Sequence, residues 1–277
     1  MTSVPARPAL ASLAALVTLC GASGASNPRL EDPPPARARE PAAEAPRWRP
    51  VAAPQSGPGR VELPEPDEPR GAWTVRPRAG GIDVAFEPDL RPARASAPAG
   101  FAIEGAPPLR GLSTGDGWLV GFDAGGGGSL WWFRDDGNEM ARLHDGPVVA
   151  IGECALGRFA FCGPVPGDPT GGSFVRVERD LAGRWRARVE ARLGATPRAV
   201  APEGPDTWLV VTDAGVARVD ASGAVEPLVE NAWFAGGPAT IAVEPGGVAW
   251  VGTRRYLVRL MPFGRRYHED WFVAAGR

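Results

Sequence analysis

The sequence of 277 residues is short of several residue types, and each shortage limits what the protein can be. It contains two histidines, three cysteines and no lysine, and its 30 basic and 32 acidic residues give a formal net charge of -2. This balance gives no reason to expect nucleic acid or an anionic membrane as the partner. Two histidines are too few for the usual zinc sites, so no metal and no other cofactor is predicted.

Long apolar runs are missing beyond the N-terminus. No stretch after Ser26 is apolar for long enough to span a bilayer, so no transmembrane segment is predicted. The segment 1–26 combines Arg7, an apolar run over 9–19 and small residues over 21–25, which is the pattern of a secretory signal. We expect a signal peptide over 1–25 with cleavage after Ala25. The protein is then exported and is periplasmic, outer-membrane-associated or extracellular.

Cys20 leaves a second way of processing the N-terminus open. It ends the apolar run in Val-Thr-Leu-Cys, which resembles the lipobox of bacterial lipoproteins, although Leu19 stands where that motif has a small residue. Lipidation at Cys20 would give the protein its only membrane contact. The alternative is that Cys20 is removed together with the signal peptide.

Residues 26–70 have the composition of a linker. The segment 27–70 contains 12 prolines and almost no aromatic residues, so it cannot bury enough apolar surface to offset its conformational entropy. Its proline content favours extended polyproline-like conformers. We therefore expect a disordered Pro-rich segment, serving either as a spacer or as a leader with no geometric role.

The composition changes at residue 71, where short apolar runs alternate with turns rich in Gly, Pro and Asp. Such spacing is typical of an all-β domain, and helical periodicity is missing. The runs follow a four-strand pattern that repeats at blade length, and the second strand begins with a large aromatic residue in each copy. These second strands are 118–123, 159–163, 208–213 and 250–253.

Four strands repeated at this length predict a small β-propeller, in which neighbouring blades cover each other's faces. The sequence of the repeat, as in 241–253 followed by 256–260, resembles the propellers of two-component-sensor periplasmic domains, NHL-type proteins and streptogramin lyases. The resemblance covers about 109–273 and implies the fold rather than an activity. Residues 71–108 contain a degenerate fifth copy, so we expect four to five four-stranded blades in a propeller-like domain over 71–277.

Candidate catalytic groups are few. Gly111–Gly115 matches the G-x-S-x-G elbow of α/β-hydrolases around Ser113, but a strand follows it where a helix is required, so a hairpin turn is predicted. His144 and His268 each stand near an aspartate, which is too little for a metal site and is typical of a solvated strand. Cys154 and Cys162 are the thiols outside the signal, and they form either a disulfide or two buried thiols.

The loops after the second strands should meet on one face of the propeller. They place Asp123, Asp213, Arg254 and Arg255 there, and a further loop carries Trp233 and Phe234. Both aspartates precede Ala-Gly, so they are binding residues or ordinary turn formers. Arginine and tryptophan are enriched at binding hot spots. The sequence therefore predicts an exported binding or scaffold module for a protein or glycan of the cell envelope. The alternative is a propeller enzyme of the lyase or glycan-hydrolase class.

Overall fold

In the computed structural model, the described residues are 47–53, 71–88, 101, 103, 108–123, 127–165, 167, 171–230 and 239–275. Within these ranges the chain forms antiparallel strands and turns, and no helix occurs. Three strands precede the regular repeats: β1 (Trp48–Val51), β2 (Ala72–Arg78) and β3 (Gly81–Glu87). The predicted signal peptide, including Cys20, lies outside the described residues.

Four consecutive four-stranded units follow, and we call them blades I to IV. Blade I consists of β4 (Pro108–Ser113), β5 (Gly117–Asp123), β6 (Gly128–Arg134) and β7 (Met140–Asp145). Blade II consists of β8 (Val148–Cys154), β9 (Gly157–Cys162), β10 (Ser173–Arg179) and β11 (Trp185–Arg192). Blade III consists of β12 (Pro197–Gly204), β13 (Thr207–Thr212), β14 (Gly215–Asp220) and β15 (Val225–Glu230). Blade IV consists of β16 (Thr240–Val243), β17 (Ala249–Gly252), β18 (Leu257–Phe263) and β19 (Arg266–Ala274).

Each blade is a simple antiparallel meander, with its strands paired in chain order. The predicted four-strand repeat is therefore confirmed, and the protein has an all-β, propeller-like fold. The innermost strands of successive blades lie beside one another, so that β4, β8, β12 and β16 follow in order. At Gly121 a Cβ atom would lie 2.5 Å from the Cβ of Val148, which shows how closely blades I and II approach.

Apolar side chains fill the space between neighbouring blades. Between blades II and III, the Trp208 ring lies 5.9 Å from Phe161 and 5.6 Å from Phe174, and all three are buried. Between blades III and IV, Leu209 and Trp271 belong to one buried cluster. A four-stranded sheet has two faces, and stacking on its neighbour removes the exposed apolar face from water. Of the second-strand aromatics, Phe159 and Trp208 are thus buried in the core, whereas Trp118 and Trp250 are half-buried.

The region before blade I departs from the expected four-stranded fifth blade. There, β2 and β3 form a two-stranded sheet that packs against blade IV through Val75, Ala242 and Leu257. The next apolar residues, Phe101 and Ile103, instead cover blade I, where the Phe101 and Phe133 rings stack at 4.6 Å. The degenerate copy is therefore a hairpin next to blade IV in the part of the chain that the structure describes.

A strand also forms inside the segment predicted to be a linker. β1 pairs antiparallel with β19 and becomes the outermost strand of blade IV, with Trp48 opposite Ala274. Trp48 packs its ring edge-on against Trp73 at 4.6 Å, which covers the junction of blade IV and the hairpin. Of the predicted linker 26–70, residues 47–53 are described, and the prediction of disorder is wrong for residues 48–51.

Blades II, III and IV share an arginine on their third strand that pairs with a carboxylate on the fourth. Nitrogen-to-oxygen distances are 2.5–2.8 Å, and the three pairs are Arg176–Glu190, Arg218–Glu226 and Arg259–Asp270. Burial alone would raise the pKa of Glu190, but hydrogen bonds and charge from Arg176 and Arg188 hold it below its usual range. These pairs neutralise half-buried charge within each blade.

Candidate functional site

The turns after the second and fourth strands meet at one end of the blades. We call this end the loop face. In the described residues it comprises 127, 146–147, 163–165, 167, 171–172, 193–196, 213–214 and 253–256. Between blades I and II, the Gly146 amide donates to the Gly128 carbonyl at 2.8 Å, and the Gly163 amide donates to the Pro147 carbonyl at 2.7 Å. The turn leaving blade I thus joins it to the next blade.

The same arrangement recurs between blades II and III. The carbonyl of Ala195 accepts a bond of 2.9 Å from the Gly172 amide, and the carbonyl of Thr196 accepts one of 3.0 Å from the Asp213 amide. Backbone groups that bond to each other across blades do not need side chains for this purpose. The turns of neighbouring blades are therefore joined by main-chain hydrogen bonds.

On blade IV, the loop face is tied to the hairpin. The amide of Trp73 donates a hydrogen bond of 2.9 Å to the carbonyl of Thr253. Gly252 permits this approach, because a Cβ atom there would lie 2.2 Å from the carbonyl oxygen of Trp73. The turn carrying Arg254 and Arg255 is consequently joined to the hairpin.

Blades III and IV build their loop-face turns in the same way. In each, a buried threonine begins a four-residue turn, and its hydroxyl donates at 3.2 Å to the carbonyl of the fourth residue. The threonines are Thr212 and Thr253, and the second residues of the turns are Asp213 and Arg254. Equivalent positions therefore carry opposite charges.

Asp213 has an internal partner. Arg198 of β12 holds both of its carboxylate oxygens, with Nε at 2.6 Å from Oδ1 and Nη2 at 2.9 Å from Oδ2. This bidentate pair supports the turn-forming alternative for Asp213. Arg198 is a partner that the sequence did not reveal, because it lies on the first strand of the blade, well before Asp213 in the chain.

Arg254, at the equivalent position of blade IV, differs from Asp213 in its surroundings. It is half-buried, its Nε atom is buried, and that atom has no hydrogen-bond partner among the described residues. Its neighbour Arg255 is also half-buried but does have an interaction within the protein. Of the remaining predicted binding residues, Asp123 ends β5 but its side chain is not described, and Trp233 and Phe234 lie outside the described residues.

A second polar pair near the loop face was not predicted. Ser173 at the start of β10 is 1% exposed, and its Oγ lies 3.2 Å from Nε2 of His144 at the end of β7. Burial lowers the pKa of His144 below its usual value, the charge of Arg192 adds to this effect, and Asp145 opposes it. A neutral imidazole therefore satisfies a buried hydroxyl between blades I and II. The repeat pattern gives only a weak indication of this contact, because it places both residues at the same end of adjacent blades.

The alternative of a disulfide between Cys154 and Cys162 is wrong for this structure. In the β8–β9 hairpin, Cys154 lies opposite Gly157 near the turn, whereas Cys162 lies opposite Val148 at the other end. Six positions of a strand at about 3.3 Å each separate the cysteines by about 20 Å, while a disulfide needs Cα atoms within about 7 Å. Both thiols are free, and burial raises the pKa of Cys162 to about 12.

The other candidate groups have ordinary surroundings. Ser113 ends β4 and is followed by a turn into β5, as a hairpin requires. His268 is exposed on β19, and its Nε2 lies 3.4 Å from Asp270. Within the described ranges, no group of three or more His, Cys, Asp or Glu side chains is arranged to hold a metal ion. None of the described segments is a helix long and apolar enough to cross a membrane.

The opposite end of the blades has a different character. Arg158 and Arg179 lie over the Trp185 ring at 5.4 and 4.9 Å, and Arg179 also pairs with Asp116 of blade I. Large apolar side chains are exposed at this end, notably Leu156 (56%), Leu181 (111%) and Phe263 (79%). Both ends are therefore candidates for contact with a partner, and they differ in chemistry.

Comparison with known proteins gives likenesses of structure only. No family model matches the chain, and no curated protein matches it. The virginiamycin B lyase of Staphylococcus aureus is 13% identical with a TM-score of 0.39, covering 73% of this chain and 70% of the lyase. A catalytically inactive variant of that lyase, with quinupristin, is 11% identical with a TM-score of 0.34, covering 81% and 88%. A Bacteroides uniformis protein assigned as a 6-phosphogluconolactonase is 11% identical with a TM-score of 0.40, covering 74% of this chain and 64% of its own.

Proposed function

We propose that the protein is an exported binding or scaffold module that holds a protein partner of the cell envelope on its loop face. The observation that carries this proposal is the turn that places the half-buried Arg254 and Arg255 on that face, where the Thr253 carbonyl joins it to the hairpin. Arginine is also among the residues enriched at protein-binding hot spots, which favours a protein over a glycan.

The main-chain bonds of the loop face support the same proposal. They fix the turns of neighbouring blades relative to one another, and the Thr212 and Thr253 hydroxyls add hydrogen bonds within two of these turns. A surface fixed before binding loses less conformational entropy when a partner docks. The loop face is thus suited to recognition, and the predicted signal peptide supports its presence in the envelope.

A crosslinked pull-down with the full chain in its native cells tests the proposal. Three baits are compared: the wild type, a loop-face variant with Arg254→Ala and Arg255→Ala, and a matched control variant with Arg265→Ala and Arg266→Ala. Both control residues are exposed, Arg265 in the turn between β18 and β19 and Arg266 at the start of β19, on the same blade but at its opposite end. We expect one protein to be captured by the wild type and the control and to be lost with the loop-face variant.

Three results would contradict the proposal. They are capture that survives the loop-face replacements, capture lost only in the control, and capture of a glycan in place of a protein. Because Arg255 has an interaction within the protein, the single variant Arg254→Gln is tested beside the double one, and thermal melts show whether each variant is folded. Mass analysis of the mature N-terminus tests export separately: cleavage after Ala25 supports it, and an intact N-terminus contradicts it.

A further inference from the structure

The strand β1 is attached to blade IV by a short ladder. Its four residues pair with the last four residues of β19, and the Ala275 amide extends the ladder with a hydrogen bond of 2.7 Å to the Arg47 carbonyl. Hydrogen-bonded and non-hydrogen-bonded pairs alternate along an antiparallel ladder, so Pro50 stands opposite Phe272 at a non-hydrogen-bonded pair, where it needs no N–H. Short edge strands of this kind open at a lower free-energy cost than the core of a fold.

Side-chain contacts connect β1 to the hairpin. Trp48 is half-buried, and its ring meets the buried Trp73 ring edge-on at 4.6 Å. Trp73 in turn meets Phe86 of β3 at 5.2 Å. At the other end of β1, Val51 packs against the buried cluster that contains Trp271. When β1 leaves, the Trp73 ring loses an aromatic neighbour and part of its cover from water, which is unfavourable.

Trp73 also belongs to the frame of the loop-face turn of blade IV. Its amide donates to the Thr253 carbonyl at 2.9 Å. Thr253 begins the turn that carries Arg254 and Arg255, and its amide and hydroxyl both donate to the Tyr256 carbonyl. Trp73 therefore contacts β1 with its ring and the turn with its backbone.

From this continuous set of contacts we propose that residues 47–51 form a strap: docked on β19, it holds the 253–256 turn in the shape that binds the partner, and released, it loosens that turn. The inference rests on the proposed function and adds its regulation. Docking of the strap and binding of the partner strengthen each other by the same factor, because coupling between two sites is reciprocal. Since the strap lies within the predicted linker, a pull on the N-terminal segment that frees β1 also weakens partner binding.

Hydrogen–deuterium exchange of the full-length protein, measured amide by amide, tests the coupling without a partner. The strap is locked with Arg49→Cys and Val273→Cys, which stand directly opposite each other, at the separation of about 5.5 Å that a disulfide spans. The same variant in reductant is the matched control, because the described native cysteines form no disulfide that a reductant could break. We expect the oxidised lock to slow exchange of the Trp73 and 253–256 amides at least about threefold and to leave β10 of blade II unchanged.

Releasing the strap tests the opposite direction. Trp48→Ala with Val51→Ala removes both anchors of β1, and Arg49→Ala, exposed on the same strand, is the control. Exchange of the Trp73 amide should become about tenfold faster or more in the double variant and change less than about twofold in the control. Unchanged exchange of Trp73 and 253–256 in the oxidised lock or in the double variant would overturn the inference. If blade II also loses protection in the double variant, the lock, which keeps Trp48 and Val51, decides.

Partner capture separates this inference from the proposed function. Pull-downs from native envelope extracts should recover more partner with the oxidised lock than with its reduced form, and less with the double variant. Equal capture by the oxidised and reduced lock would overturn the link to the partner. If the exchange results hold while capture does not depend on Arg254 and Arg255, the strap stands and the binding face is wrong. If capture depends on that pair but exchange of the turn ignores the strap, the binding face stands and the strap is wrong.

Discussion

The amide of Trp73 and the carbonyl of Thr253 are joined by a hydrogen bond of 2.9 Å, although the two residues are far apart in the chain. The bond attaches the two-stranded hairpin to the turn that carries Arg254. The hairpin therefore does more than cover the apolar face of blade IV, since it also fixes the candidate site. Its place next to the last blade is what a degenerate fifth blade would occupy in a ring.

Replacing Trp208 by alanine tests the packing between blades II and III. The ring is 5% exposed and contacts three phenylalanines, so its loss should destabilise the protein by about 3–5 kcal/mol. Trp250 is only half-buried, and its replacement by alanine should cost less. Chemical denaturation measures both values, and equal or reversed costs would contradict the described core.

His144 should make stability depend on pH in the range where histidine titrates. Its pKa is lowered in the folded protein, so the unfolded chain takes up a proton first as the pH falls below about 6.5. Stability should be complete above that pH and decrease below it, by at most about 1.4 kcal/mol per pH unit. Denaturation between pH 7.5 and 5 measures the slope.

The matched variants of this prediction are His144→Gln and His268→Gln. Glutamine at 144 keeps a hydrogen-bonding group near Ser173 but does not titrate, so the slope should flatten. His268 is exposed, and its replacement should leave the His144 contribution in place. An unchanged slope in His144→Gln would show that another group is responsible. The carboxylates with lowered pKa values, such as Glu190 and Asp270, act only at lower pH.

Glu203 should stabilise the contact between blades III and IV. Its carboxylate accepts two hydrogen bonds from Arg218 at 2.6 and 2.7 Å and one from the Tyr267 hydroxyl at 2.9 Å. The Arg218 bond is the main cause of its lowered pKa, burial opposes it, and Tyr267 adds to it. Glu203→Gln should therefore cost about 1–3 kcal/mol at neutral pH.

This contribution has a defined pH dependence. Because the pKa of Glu203 is lower when folded, its stabilisation is full above about pH 4.3, the ordinary value for Glu, and is lost as the pH falls through the folded pKa. The cost of Glu203→Gln should shrink correspondingly in acid. Tyr267→Phe removes only the phenol bond and should cost less at neutral pH. A Glu203→Gln cost that stays constant down to pH 2 would contradict the account.

The two described thiols should differ in reactivity. Cys162 is fully buried and its pKa is raised to about 12, whereas Cys154 is only half-buried. Since the thiolate is the reactive form, iodoacetamide should label Cys154 in the folded protein and Cys162 only after unfolding. Peptide mass mapping without reductant identifies each site. A disulfide-linked peptide containing both cysteines would contradict the strand register.

Much of the fold was predictable because local sequence patterns encode the strands and turns of the repeat. Alternating apolar residues and Gly-containing turns place the strands of blades I to IV other than β4, for example 174–177 and 216–219, close to the observed bounds. For β4 the prediction was wrong, because Gly111 to Ser113 were expected in a turn and belong to the strand. β1 was not predictable, since Trp-Arg-Pro-Val lies among prolines and forms a strand only because the edge of β19 is available. Tertiary pairing overrides local composition at this position.

The candidate site was predictable in outline and not in its partners. The alternation of strands predicts that Asp213 and Arg254 share one end of the blades. Whether each is paired depends on contacts across a sheet, such as Arg198 with Asp213, which no local pattern encodes. The disulfide alternative for the cysteines failed for a related reason: Cys154 and Cys162 are close along the chain, but hairpin geometry places them at opposite ends.

Site-specific photo-crosslinking tests whether the loop face holds the partner. A photoreactive amino acid replaces Ala214, exposed on the loop face, or Leu181, exposed among the apolar side chains of the opposite end. We expect irradiation of native cells to join a single partner protein to the chain labelled at 214 and none to the chain labelled at 181. Adducts formed from position 181 and not from 214 would contradict this expectation and assign binding to the opposite end.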